Sequence, residues 1–357
     1  MNNERNKPQI KVLIVDDSAF MRTALSRMVG SDPDLWVAGT AASGAEALQK
    51  IASLDPDVIT LDVQMPGLDG LATLRRIMAQ FPRPVIMVSS STEKEAGITF
   101  DSLEAGAFDY VPKQLSPTSL DILHISEDLL AKIKGAAEGS HAGDSVTLQR
   151  KPPRACGLIA PQTVHLAPAI IALGVSTGGP KALQDILPTL PDDLPVPILV
   201  VQHMPPLFTR LLAERLNESC QLKVKEAKQD DPVEPGTILL APGDFHMKVV
   251  SKGGGVRVSL DQTPQQNSCR PAVDPLFASA AEVFGGAAIA VVLTGMGRDG
   301  LRGAEILKAR GARIIVQDEA SSVVWGMPGA VVNAGLADRV LPLDQVVAEI
   351  LTITGRH

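Results

Sequence analysis

The first third of the chain alternates continuously apolar runs with amphipathic stretches. The runs VLIVDD, DVITLDV and PVIMVSS stay apolar until polar residues appear at their ends, which is typical of parallel strands buried on both faces. Between them, DGLATLRRIMAQF places Leu71, Leu74 and Ile77 on one face of a helix. With the weaker strand LWVAG and a last strand, DYVPK, the pattern predicts a flavodoxin-like α/β domain with a five-stranded parallel sheet that ends near Gly135.

The composition changes after this domain. Residues 136–166 are rich in Gly, Ser, Pro and charge without periodicity, so we expect a linker. Apolar runs then resume as AIIALG, VPILVVQHM, TILLAPG, AIAVVLTG and RIIVQD, with helical stretches between them. HMKVVSKGGGVRVSL has two alternating segments around three glycines, which predicts an antiparallel hairpin. We therefore predict a domain at 1–135, the linker, and a second doubly wound α/β domain at 167–357 with a mostly parallel sheet and an inserted β-hairpin.

Composition narrows the class of protein. The 357 residues are 45% hydrophobic and 20% charged, which supports two packed cores and excludes wholesale disorder. A net charge of -7 argues against binding to nucleic acid. The three cysteines lack metal-binding spacing, the first residues lack a signal-peptide core, and no apolar run is long enough to span a bilayer. We expect a cytoplasmic protein that does not insert into membranes.

Acidic residues follow the strands of the first domain. Asp16 and Asp17 end the first strand, and Asp62 lies near the end of the third, its predicted neighbour in the sheet. Three carboxylates this close repel one another unless a hard cation such as Mg²⁺ neutralises them. Lys113 and Ser89 end two further strands and can face the same crevice. Any one of these residues could be a helix cap or a turn residue, but their common position at strand ends favours a site for Mg²⁺ and phosphate.

The second domain contains the turn GVSTG, residues 174–178, between an apolar strand and a helix. It fits neither the Walker phosphate loop nor the dinucleotide-binding pattern, but it matches the G-x-S-x-G setting of a nucleophilic serine. Ser176 would need a neighbouring base to take its proton. His203 directly ends the next strand and is favoured over His246, which begins the hairpin and is expected to be a solvated strand residue.

An acid that orients the base should also lie at a strand end. Asp299 follows AIAVVLTG among glycines, although it could merely cap the next helix, and Asp244 in APGDFH is a competitor at another strand end. With Asp299, the order along the chain is Ser, His, Asp, whereas α/β-hydrolases run Ser, Asp, His. We therefore expect Ser176, His203 and Asp299 to form a triad on a different topology.

The first domain resembles the receiver domain of two-component response regulators over residues 9–135, through VLIVDDSAFMR, LDVQMPGLDG, VSS and DYVPK. The resemblance implies that Asp62 is the phosphoacceptor and that Lys113 is the counter-ion of the phosphate. It implies Mg²⁺ ligation by Asp17, Asp62 and the backbone carbonyl of Gln64, by Asp16 through water, and a switch pair of Ser89 and Tyr110. One departure is Gln114, where receivers usually have Pro, and a cis bond there would cost roughly 2.5–4 kcal/mol without proline.

The second domain resembles the catalytic domain of chemotaxis protein-glutamate methylesterases over residues 168–350. The motifs LGVSTGG, QHM, APGD and LTGMGRDG carry this resemblance, and the whole chain resembles a response regulator of the CheB type. The family implies that Ser176 is the nucleophile, that His203 is the general base and then acid, and that Asp299 orients His203. It also implies that Thr177 and Met296 line the oxyanion region, with the Met296 N–H as a donor.

The resemblance also implies a reaction and partners. The substrates would be glutamate methyl esters on the cytoplasmic helices of chemoreceptors, cleaved to methanol and a free carboxylate without a cofactor in the esterase step. Some members of the family deamidate receptor glutamines by the same acyl chemistry. A chemotaxis histidine kinase would be the phosphodonor, and the reaction would serve adaptation. The alternative is a receiver domain with a non-catalytic protein-interaction output. No helix-turn-helix signal or basic cluster supports a DNA-binding output.

Overall fold

The computed structural model describes residues 9–90, 92–113, 119–141 and 166–355. The chain divides into two compact units, residues 1–142 and 143–357. In the part of the chain that is described, no helix combines the length and apolarity needed to cross a membrane.

The first unit is a parallel sheet of five strands in the order β2-β1-β3-β4-β5, as the flavodoxin-like pattern predicts. Its elements are β1 (Ile10–Val15), α1 (Ala19–Gly30), β2 (Leu35–Ala41), α2 (Gly44–Leu54), β3 (Val58–Asp62), α3 (Gly70–Gln80), β4 (Val85–Ser89), α4 (Glu93–Glu104), β5 (Asp109–Pro112) and α5 (Ser119–His141). All residues of β3 and β4 are buried, because their continuous apolar runs are covered on both faces of the sheet.

The last helix of this unit is longer than the sequence pattern predicts. Helix α5 continues to His141, past the predicted domain end at Gly135. Ala136 and Ala137 are buried in the hydrophobic cluster of the first unit, so these residues belong to its core rather than to a linker. Most of the predicted linker, residues 142–165, lies outside the described residues.

The second unit has a seven-stranded sheet in the order β14-β13-β12-β6-β7-β9-β8, in which every pairing is parallel. Its elements are β6 (Ile170–Val175), α6 (Gly179–Ile186), β7 (Ile198–Gln202), α7 (Pro206–Ser219), β8 (Lys223–Glu226), β9 (Thr237–Leu240), β10 (His246–Lys252), β11 (Gly255–Asp261), α8 (Val273–Phe284), β12 (Ala288–Val292), α9 (Leu301–Ala309), β13 (Arg313–Gln317), α10 (Gly326–Asn333), β14 (Arg339–Leu341) and α11 (Leu343–Ile353). Two short 3₁₀ turns lie at Leu187–Thr189 and Gly285–Ala287.

The predicted hairpin is present, and it forms a sheet of its own. Strands β10 and β11 pair antiparallel from His246 opposite Asp261 to Lys252 opposite Gly255. The Val249 N–H donates to Ser279 Oγ of α8 at 3.1 Å, which ties the hairpin to that helix. The hairpin therefore interrupts the parallel pattern without entering the large sheet.

Three neighbouring strands bring the predicted triad to one edge of the large sheet. Strand β6 lies between β12 and β7, with Gly174 opposite both Val292 and Val201. Because these strands are parallel and in register, the residues that follow them meet at the same carboxyl edge. Ser176 follows β6, His203 follows β7, and the loop after β12 leads to Asp299.

Candidate active site and phosphoacceptor site

The serine turn is fixed by its backbone. The Ser176 N–H donates to the Thr294 carbonyl at 3.0 Å, and the Ser176 carbonyl accepts from the Gly179 N–H at 2.7 Å. Gln202 is buried, and its Nε2 donates to the same carbonyl at 3.1 Å. These contacts hold the serine backbone between β12 and β7, so the position of its hydroxyl is set by the sheet.

Two glycines make this turn possible. Gly178 is the N-cap of α6 with a φ of 77°, a left-handed conformation that glycine adopts without steric cost. Gly295, in the loop after β12, lies so close that a Cβ atom there would be 2.8 Å from the Cβ of Ser176. Pro180 lies in the first turn of α6, as the sequence predicts.

The three predicted triad residues are hydrogen-bonded in sequence. His203 Nδ1 lies 3.1 Å from Ser176 Oγ, and His203 Nε2 lies 2.8 Å from Asp299 Oδ2. When the imidazole is neutral, Nε2 is the donor to the ionised Asp299, so Nδ1 is left to accept from the serine hydroxyl. This tautomer is the one that a general base requires.

Asp299 is buried and surrounded by donors. Besides His203, its oxygens accept from four further groups: Val273 N–H at 2.6 Å, Asp274 N–H at 3.2 Å, Gly300 N–H at 3.0 Å and Asn267 Nδ2 at 3.0 Å. The first two lie at the start of α8, whose dipole favours a negative charge there. Burial acts to raise the pKa of Asp299, but the hydrogen bond and charge of His203 and these amides outweigh it and lower the pKa below 3.8. The carboxylate is therefore kept ionised.

Two neighbouring side chains raise the pKa of His203. Burial acts to lower its pKa, but Cys269 and Asp299 outweigh this effect through charge and hydrogen bonding and raise the pKa to about 10. The imidazolium that forms during proton transfer is thus stabilised at this position.

The predicted oxyanion residues flank the serine. Thr177 is buried, and its carbonyl accepts from Thr294 Oγ1 at 3.0 Å, while Met296 is half-buried in the loop after β12. Within the described residues, neither the Thr177 N–H nor the Met296 N–H donates to a protein acceptor. Both are free to donate to an oxygen atom of a bound substrate.

The two sequence alternatives have other partners. His246 is completely buried, so the expectation of a solvated strand residue was wrong: its Nδ1 accepts from the Ala272 N–H at 3.2 Å and its Nε2 lies 3.2 Å from the Pro264 carbonyl. A buried imidazole with both nitrogens hydrogen-bonded to backbone is part of the core. Asp244 is ion-paired with Arg270, with its Oδ1 3.0 Å from Arg270 Nε.

The first unit gathers its predicted acids at the carboxyl ends of β1 and β3. One carboxylate oxygen from each of Asp16, Asp17 and Asp62 lies within 4.8 Å of the others. Lys113 Nζ lies 2.9 Å from Asp16 Oδ2 and 2.6 Å from Asp62 Oδ2. The Gln64 N–H donates to Asp62 Oδ1 at 3.2 Å, which places its backbone beside the cluster.

Electrostatics agree with a cation site. Burial raises the pKa of Asp62 to about 6, an effect that Lys113 reduces and Asp16 increases. Burial acts to lower the pKa of Lys113, but Asp62 and Asp16 reverse this and raise it. Three clustered carboxylate oxygens are the hard donors that Mg²⁺ prefers, so the residues present fit this ion.

The predicted switch residues are both buried. Ser89 Oγ accepts from Thr99 Oγ1 at 2.8 Å. The Tyr110 carbonyl accepts from Lys132 Nζ at 2.6 Å, and the same ammonium lies 5.4 Å from the centre of the tyrosine ring. The prediction about Gln114 concerns residues 114–118, which lie outside the described residues.

Comparison with known proteins identifies the family. A family model described as CheB methylesterase matches residues 171–350, and one described as response regulator receiver domain matches residues 12–123. A Nocardioides protein named protein-glutamate methylesterase/protein-glutamine glutaminase is 47% identical over 98% of this chain and 97% of its own length. This chain belongs to the CheB methylesterase family.

Other members of the CheB family agree in extent and fold. A Thermotoga maritima protein with the same name as the Nocardioides protein is 44% identical over 96% of this chain and 98% of its own length. The crystal structure of the Thermotoga maritima CheB methylesterase catalytic domain is 44% identical, covers 53% of this chain and 100% of that domain, and has a TM-score of 0.52.

Sequence reasoning missed several residues around this CheB-type triad. Gln202 holds the serine turn, Asn267 hydrogen-bonds Asp299, and Cys269 acts on His203. The position of Gln202, directly before His203, was a usable signal. Asn267 and Cys269 belong to the loop between β11 and α8, and no periodicity indicates which way such a loop turns.

Proposed function

We propose that this CheB-family protein hydrolyses methyl esters of protein glutamate side chains on chemoreceptors, with Ser176 as nucleophile. The observation that supports this most strongly is the continuous hydrogen-bonded chain from Ser176 Oγ through His203 to Asp299. The names of the relatives agree, since they are protein-glutamate methylesterases and protein-glutamine glutaminases. Glutamine side chains are a second substrate class of the same site.

The residues present account for each step of an acyl transfer. Ser176 Oγ attacks the ester carbonyl carbon while His203 Nδ1 takes the hydroxyl proton. The Thr177 and Met296 N–H groups stabilise the oxyanion, a contribution of about 10²- to 10³-fold for each such donor. His203 returns the proton to the departing oxygen, so that methanol leaves and an acyl-serine remains. Water then attacks this ester with His203 as base, which gives the glutamate carboxylate and free Ser176. With a glutamine substrate, ammonia leaves instead.

We infer that the receiver unit regulates this activity. We propose that Asp62 accepts a phosphoryl group from a chemotaxis histidine kinase, with Asp16, Asp17, Asp62 and the Gln64 carbonyl holding Mg²⁺. The ion supplies charge neutralisation for the phosphoryl oxygens. Lys113 then pairs with the added phosphate, and Ser89 and Tyr110 respond to it. Phosphorylation adds local negative charge and thereby changes esterase activity in the cytoplasm.

The test is methanol release from methylated receptor membranes. Ser176→Ala should bind receptor and unfold like the native protein, while turnover falls by about 10⁵- to 10⁶-fold. Near-normal turnover would favour the alternative, a receiver domain with a non-catalytic output. Addition of Mg²⁺ and a small phosphodonor should change the native rate and leave the Asp62→Ala rate unchanged, and an equal response of both proteins would remove the regulatory role.

A further inference from the structure

The side chain of Asn267 joins two buried carboxylates. Its Nδ2 lies 3.0 Å from Asp299 Oδ1 and 3.1 Å from Asp274 Oδ2. A primary amide nitrogen carries two hydrogens, so it can donate one to each acid. Asp299 is 1% exposed and Asp274 is 8% exposed, and hydrogen bonds to such buried anions are stronger than bonds in water.

Asp274 is itself held in place by backbone. Its Oδ1 accepts from the Gly303 N–H at 2.8 Å, and its own N–H donates to Asp299 Oδ1 at 3.2 Å. Burial, and then the charge of Asp299, raise the pKa of Asp274. The charge of one acid therefore acts on the other, and the Asn267 amide donates to both of them.

The loop is shaped to present this amide. Asn267 and Ser268 have φ values of 51° and 61°, in the left-handed region that asparagine tolerates better than most residues. Gln266 and Cys269 exchange backbone hydrogen bonds of 2.9 and 3.1 Å, which close the turn around them. Asn267 as a whole is exposed on this turn, while its amide nitrogen reaches inward to the two acids.

We propose that Asn267 is a positioning residue of the hydrolase, which acts through Asp299. It orients the Asp299 carboxylate so that Oδ2 accepts the His203 Nε2–H. By donating one hydrogen bond to each acid, it also stabilises the negative charges of Asp274 and Asp299 side by side. This inference rests on the proposed function. Among the described residues, the titratable groups that act on His203 and Asp299 are Cys269 and Asp274. Arg298, Arg302 and Glu305 line the same cavity as Asn267 and Asp274.

Two substitutions separate the two parts of this role. Asn267→Asp keeps the size and the tolerance for a left-handed backbone, but it replaces the donors with a third carboxylate. The new carboxyl ionises at a higher pH than a free one because Asp274 and Asp299 repel its charge; once ionised, it stabilises the His203 imidazolium, so the acidic limb of the kcat/KM profile should move up by about one pH unit. Asn267→Gly removes the amide without adding charge, and kcat should fall by about tenfold with KM unchanged.

The matched control is Gln265→Glu, which adds the same charge to the same loop two residues away. It should keep the native pH limb and kcat. A second readout is the proton resonance of the His203 Nε2–H, which should shift in N267D and remain in place in Q265E. If N267G does not fold, the kcat of N267D decides, because this variant also lacks the amide donors.

The outcomes separate this inference from the proposed function. If native protein is active, Ser176→Ala is inactive, and both Asn267 variants keep the native kcat, pH limb and proton resonance, the positioning role is overturned. The same holds if Q265E moves the limb as far as N267D does. If Ser176→Ala remains active, the proposed function fails first.

Discussion

Replacing Asp299 with asparagine tests the triad with almost no change of shape. All of the hydrogen bonds of this carboxylate are accepted ones: Oδ2 faces His203 Nε2 and the Val273 N–H, and Oδ1 faces Asn267 and two backbone amides. An amide group has one oxygen and one NH₂. In either orientation of the substituted side chain, the NH₂ therefore faces donors. At the Oδ1 position it meets three of them, whereas at the Oδ2 position it meets the Val273 N–H and His203, whose ring can change tautomer, so we expect the NH₂ to lie opposite Nε2.

The consequence for catalysis follows from the tautomer of His203. An NH₂ group opposite Nε2 makes that nitrogen the acceptor, so the ring proton moves to Nδ1, which lies 3.1 Å from Ser176 Oγ. Nδ1 can then no longer accept the serine proton. We expect kcat to fall by about 10⁴-fold, as in triads where the acid is made an amide. The free energy of unfolding should fall by about 1–3 kcal/mol, because at least one buried donor loses its partner.

The assay is methanol release at saturating substrate, with urea unfolding of the same samples. The matched control is Asp244→Asn, the same chemical change at the half-exposed partner of Arg270, which should keep native turnover. A D299N protein that retains kcat within tenfold of native would refute the assigned role of Asp299, and so would an equal loss in D244N.

Because Cys269 and Asp299 raise the pKa of His203, the acidic limb of the kcat/KM profile should have its midpoint above pH 6.5, and Cys269→Ala should lower that midpoint. A midpoint at or below pH 6.5 in both proteins would contradict this. Because the pKa of Asp62 is about 6, its carboxylate becomes protonated below that pH, and the Mg²⁺ affinity measured by calorimetry should weaken by about tenfold per pH unit there. An affinity that does not change between pH 5 and 7.5 would contradict the assignment of Asp62 as a Mg²⁺ ligand. Gly295→Ala places a methyl group 2.5 Å from Met327 Sδ and 2.8 Å from Ser176 Cβ, so stability to urea should fall by about 1–3 kcal/mol together with kcat, and native values of both would contradict the tight packing.

The sequence predicts which side chains lie close together wherever the backbone geometry is regular. Ser176, His203 and Asp299 follow strands whose apolar runs indicate burial, and parallel strands place their carboxyl ends on one edge. The same reasoning brings Asp16 and Asp62 together in the first unit. The order of the strands alone therefore predicts which residues, far apart in the chain, become neighbours, and no information about side-chain contacts is needed.

The remaining features depend on packing that a linear pattern does not encode. The hydrophobic pattern did not predict strands β8 and β14, which are the outer strands of the large sheet. Their sequences, KVKE and RVL, are short and contain charged residues, because an outer strand is only partly covered and needs no continuous apolar run. His246 alternates with its neighbours as a solvated residue would, yet α8 and the loop before it bury it. The position of the Asn267 side chain depends on two residues with left-handed backbone, Asn267 itself and Ser268, which no periodicity predicts.

The most direct measurement is to quench the native protein during turnover of a methyl ester substrate and to locate the acyl group by peptide mass spectrometry. We predict acylation of the peptide that carries Ser176, and none in Ser176→Ala. Acylation of Cys269, the other nucleophile beside His203, or turnover without any acylated peptide, would contradict it.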